Sequence, residues 1–133
     1  MDLTTLVGQI EEYVNESERR DRPFSFVMLT RTPEGPSGKW TLVVSAPWID
    51  REGHGRSLSG VAEELKRRLP RDAATEIRSV TALRTSDQFL TSVTEEIGRQ
   101  FGQDRPILFH DKVIGGQLIS DGAIIRAERH NNP

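Results

Sequence analysis

Leu3, Leu6, Val7, Ile10, Tyr13 and Val14 recur at intervals of three and four, so residues 3–18 should form an amphipathic helix. The charged run Arg19–Pro23 stops it. FSFVMLTR (24–31) reads as a strand, and the prolines and glycines between Thr32 and Lys39 as a loop. WTLVVSAPWI (40–49) puts Trp40, Leu42, Val44, Ala46 and Trp48 on one face, with Val43 and Ile49 on the other. A strand apolar on both faces belongs in the interior of a sheet. A polar, glycine-containing loop (50–57) then leads to a second helix, which buries Leu58, Val61, Ala62, Leu65 and Leu69 and ends at Pro70.

EIRSVTALR (76–84) is a third strand. Thr85-Ser86-Asp87 caps a third helix with the stripe Phe89, Leu90, Val93, Ile97 and Phe101, which Gly98 and Gly102 weaken and close. The stretch from Ile107 to Ala127 is strand-rich. Asp121-Gly122 predicts a two-residue hairpin turn, Gly115-Gly116 a bulge or close backbone approach, and 128–133 a flexible tail. The order α-β-β-α-β-α-β-β-β predicts an α+β (or α/β) fold. It should be one compact domain (1–127) with a single mixed sheet of five to six strands and helices packed on it. The two strand–helix–strand crossovers should make strands two, three and four parallel.

Composition narrows the chemistry. A chain of 133 residues holds one core, and 18 Lys+Arg against 20 Asp+Glu leave a net charge of −2. That balance makes nucleic acid an improbable partner. The basic clusters Arg19-Arg20-Arg22 and Lys66-Arg67-Arg68-Arg71 fall at the C-terminal ends of the first two helices, where cations complement the helix dipole. No cysteine is present, so disulfides and thiolate chemistry are excluded. No stretch is long and apolar enough for a membrane span, and the start MDLTTLVGQIEEY lacks the form of a secretory signal. The expectation is a cytoplasmic protein without a membrane association.

If strands two, three and four run parallel, three polar loops gather at one edge of the sheet, where ligands favour the ends of parallel strands. They are 50–57, 84–87 and 110–112. Asp50, His54, Asp87, His110 and Asp111 are then candidate acid–base groups, and Arg56 and Arg84 candidate anion ligands. None of these residues shows a metal-ligand spacing, and no motif implies a cofactor. Gly53-His54-Gly55-Arg56-Ser57 matches neither phosphate-loop pattern, and no G-x-S-x-G elbow is present.

The segment Trp40-Thr41-Leu42-Val43-Val44-Ser45-Ala46-Pro47-Trp48, with the closing Ala123-Ile124-Ile125-Arg126, resembles a group of small bacterial α/β proteins. These share a W-x-L-V-V-S-A-P-W strand and a terminal A-x-I-I strand. The resemblance implies a bacterial source and a compact domain, and it brings no activity with it. The sequence therefore favours a non-enzymatic accessory or regulatory module, working through a protein partner or self-association. Pro47, Trp48, Gln117 and Arg126 are the candidate contacts. A small metal- or phosphate-dependent hydrolase built on the three loops is the alternative, and a weak nucleic-acid binder the third reading.

Overall fold

The computed structural model describes residues 2–31, 39–97, 106–114 and 116–127. These form five helices and five strands: α1 (Leu3–Arg19), β1 (Phe26–Arg31), β2 (Trp40–Ser45), α2 (Pro47–Glu52), α3 (His54–Arg68), α4 (Arg71–Glu76), β3 (Ile77–Ala82), α5 (Gln88–Ile97), β4 (Ile107–Ile114) and β5 (Gln117–Ala127). The strands make one mixed sheet in the order β3-β2-β1-β5-β4. Only β2 and β3 pair in parallel; β1 pairs antiparallel with β2 and β5, and β5 with β4. The expected α+β class and mixed sheet hold, and β2 is an interior strand. The parallel direction expected for the fourth strand does not hold, because β4 runs back along β5 and so opposes β2.

The helices cover both faces of the sheet. On one side Leu6, Ile10, Tyr13 and Val14 of α1 pack with Val27, Leu29, Leu42 and Val44, together with Trp48 and Ile49 of α2 and Val61 and Leu65 of α3. On the other, Val93 of α5 meets Phe26, Met28, Val43, Phe109, Ile119 and Ile124. The alternation of β1, with Val27 and Leu29 one way and Phe26 and Met28 the other, feeds both cores. α1 begins at Asp2, whose carboxylate accepts the Thr5 N–H at 2.7 Å. It ends where the Ser17 hydroxyl donates to the Arg22 carbonyl at 2.6 Å.

Three further expectations are corrected. WTLVVSAPWI is not one strand. Proline has no N–H for the ladder but suits a first helical turn, so the strand stops at Ser45 and Pro47 opens α2. The segment 50–57 is therefore helical rather than a loop, and the kink between α2 and α3 falls at Gly53, whose φ of +100° suits glycine. Finally, Asp121-Gly122 is no turn: both residues lie within the continuous β5, leaving two strands where three were expected. The chain reverses beside Gly116 instead, at φ +80°. Gly115, Gly98, Phe101, Gly102, most of the loop after β1 and the tail 128–133 lie outside the described residues.

Candidate functional site

The end of β2 and the end of β3 bring two of the three predicted segments together. Asp50, on α2, accepts two hydrogen bonds from Thr85, from the backbone N–H at 3.3 Å and from the hydroxyl at 2.6 Å. His54 stands one helical turn further on, its Nε2 3.2 Å from the other Asp50 oxygen but not aligned for a hydrogen bond. Burial pushes the Asp50 carboxyl up, but the Thr85 bonds and the neighbouring imidazole outweigh it and hold the group below the usual carboxylate range. Asp87 accepts the Phe89 N–H at 2.8 Å and caps α5. Arg84 is exposed beside it. Asp50 thus works as a latch between α2 and the β3–α5 turn. In a nucleophile–base–acid relay the imidazole would stand between hydroxyl and carboxylate; here the carboxylate stands between the other two.

His110 is elsewhere. Thr30 pairs with Thr41, so the end of β1 lies beside the start of β2, and Arg31 pairs with Asp121, which in turn pairs with His110. His110 therefore sits at the opposite rim of the sheet from Asp50, on its outermost strand. The three-loop crevice does not form. At this second rim the Asp121 carboxylate joins Arg31, whose guanidinium stacks 4.6 Å from the Trp40 ring centre, to His110 Nδ1 at 2.5 Å. Hydrogen bonds from Arg31 and then His110 hold the Asp121 carboxyl below its ordinary range against the opposing effect of burial. Asp111 is exposed at φ +48°. Among the described residues no group of three or more His, Asp or Glu side chains could hold a metal ion.

This second rim gives a pH prediction. A carboxyl with a lowered folded pKa stabilises the protein fully above the unfolded value of about 4 and loses that contribution as pH falls toward the folded value. Asp121→Asn should therefore cost about 1–2 kcal/mol at pH 7. The gap to wild type should shrink by pH 3, as urea midpoints at the two pH values would show. An unchanged gap would mean that the ion pair is not the source of the stability.

Two of the predicted contact residues, Trp48 and Arg126, are engaged within the fold. Trp48 is buried, donates from Nε1 to the Pro23 carbonyl at 3.0 Å, and lies under Arg22, whose guanidinium is 4.9 Å from the ring centre. Pro47, exposed, is the first residue of α2. Arg126 bonds Asn15 at 3.0 Å and Glu18 at 3.1 Å, tying β5 to α1. Gln117 opens β5 across from Ile114. Arg56 lines a groove of about 590 Å³ between α2 and α3 with Arg22, Arg51 and the buried Ser57, but Glu52 and Glu64 line it too and leave its charge mixed. Within the basic clusters, Arg20 and Arg68 pair with Glu16 and Arg22 with Glu52.

Three exposed side chains that the sequence reading does not single out lie on the outer hairpin, which also carries the candidate contacts Gln117 and Arg126. Leu108, Val113 and Leu118 are 48%, 59% and 45% exposed, and they are the exposed large hydrophobics among the described residues. All three belong to β4 and β5. The sequence carries half of the signal, since ILFHDKVI has apolar residues at both even and odd positions; the other half, a neighbour on one side only, comes from the sheet order. No family model matches the chain, and no curated protein or solved structure matches it either.

Proposed function

We propose that this chain is a non-enzymatic protein-interaction module of the bacterial cytoplasm, and that it makes contact through the outer edge of the β4–β5 hairpin. The observation that carries this reading is the concentration of exposed apolar side chains at Leu108, Val113 and Leu118, beside a strand whose outer backbone is unpaired among the described residues. Exposed apolar surface next to an open strand edge favours a partner that supplies a further strand. β3 is the other outer strand and carries no exposed large hydrophobic residue. The separation of His110 from Asp50 and His54 removes the shared site that a hydrolytic reading needs. The bacterial and cytoplasmic parts of the proposal rest on the resemblance and on the absence, among the described residues, of a helix long and apolar enough to cross a membrane.

The test is differential capture from a bacterial lysate. Immobilised wild type should retain proteins that the Leu108→Lys/Val113→Lys variant loses, while the two melt alike because both positions are exposed. Identical capture by the two proteins would remove the hairpin as the contact surface.

A further inference from the structure

The geometry points to a second copy of this chain as the occupant of the β4 edge, paired antiparallel so that position 108 of each copy meets position 113 of the other. This rests on the interaction reading above and names its partner. Set against its own reverse, the β4 sequence I-L-F-H-D-K-V-I lies over I-V-K-D-H-F-L-I: apolar ends meet apolar ends, and His110 meets Asp111. The same overlay shifted by one residue sets Asp111 against Asp111 or His110 against His110, which like-charge pairing or lost complementarity disfavours. His110 uses Nδ1 for Asp121, and its side chain is 70% exposed.

A two-fold axis through a sheet keeps each pair of facing residues on one face. In a regular strand 108 and 113, five residues apart, point to opposite faces and could not meet. The irregularity at Asp111 removes that obstacle. Its φ of +48° coincides with a gap in the β4–β5 pairing, between His110↔Asp121 and Lys112↔Ile119. Phe109 and Ile119 both belong to the core on the α5 side. Lys112, opposite Ile119, therefore shares that face, and Val113 with its partner Leu118 turns to the α1 side. Leu108 pairs with Ala123, which belongs to the α1-side core, so Leu108 points there as well. The break resets the alternation and places Leu108 and Val113 on one face, as the two-fold pairing requires. A strained backbone position on an edge strand thus has a use: it lets this strand match itself. One strand pair is small beside a standard interface, so the dimer forms and dissociates with concentration.

Sedimentation of the intact protein tests this, and the absence of native cysteine makes the register directly readable. The wild type should show a concentration-dependent monomer–dimer equilibrium. Leu108→Lys/Val113→Lys should weaken it at least roughly tenfold, because like charges then face each other across the axis. Leu108→Lys/Val113→Glu should restore it, because opposite charges then meet. Leu108→Cys/Val113→Cys should give a covalent dimer under mild oxidation and Leu108→Cys alone should not, since facing positions of a strand pair fall within disulfide reach. A wild type that stays monomeric at its highest soluble concentration, a doubly charged pair that fails to rescue, or the absence of cross-linking by the double cysteine variant would overturn the self-pairing. If the wild type is monomeric and the lysate capture still depends on Leu108 and Val113, self-pairing falls and the interaction reading stands. If capture is also unchanged, both fall.

Discussion

Trp48→Ala should destabilise the protein by about 3–5 kcal/mol, the range for removing a buried aromatic side chain. The indole contributes in three ways at once. It fills the core between α2 and the sheet, with its ring centre 5.5 Å from that of Phe24 in an edge-on arrangement. Its N–H satisfies the Pro23 carbonyl, and its face receives the Arg22 guanidinium. Truncation leaves a cavity, an acceptor without its donor, and an arginine held by Glu52 alone. Trp48→Phe keeps most of the volume and should cost only about 1–2 kcal/mol. Denaturant unfolding of the two variants decides the matter: a near-neutral Trp48→Ala would mean that the side chain is a surface contact, as its place at the end of an apolar run allows.

Gly122→Ala should cost about 2–3 kcal/mol, unusual for the addition of one methyl group. A Cβ at this position would lie 2.2 Å from Phe109 Cζ and 2.6 and 2.8 Å from the adjacent ring carbons. The ring is buried in the α5-side core, so it cannot simply swing into solvent without giving up that burial. Strand glycines normally weaken a sheet, and replacing one with alanine elsewhere is mildly favourable. Here the sign reverses because the aromatic ring from β4 occupies the space a side chain would take. The cost should fall by more than 1 kcal/mol in a Phe109→Val background, and a double-mutant cycle in urea measures that coupling. Additive effects would mean that the ring and the glycine backbone are not in contact.

These two residues also show what the sequence could and could not convey. The stripe of α1, the alternation of β1 and the face of α3 follow from periodicity, because each element needs only its own residues to define an apolar side. Trp48 reads as strand because its apolar spacing continues that of Trp40, Leu42 and Val44. Pro47 breaks the ladder before it, and a single residue outweighs the pattern. Gly122 reads as a turn because Asp-Gly is the strongest local hairpin signal, yet its reason for being glycine lies in Phe109, thirteen positions earlier and on another strand. The candidate site failed for a similar cause. Asp50 and Thr85 meet because β2 and β3 end together, which the crossover between them foretells. The place of His110 depends on which strand β4 chooses as its neighbour, and nothing local encodes that choice.

The strand order has a consequence for how the chain reaches this state. β1 lies at the centre of the sheet, but its second flank is filled by β5, the last of the five strands to be synthesised. Until then the α1–β1–β2 portion presents a bare, apolar strand edge in the nascent polypeptide. Closing the sheet requires contacts between segments far apart in sequence, which slows folding and lengthens the exposure. On the ribosome the molecule is therefore most open to wrong strand partners during the synthesis of its second half.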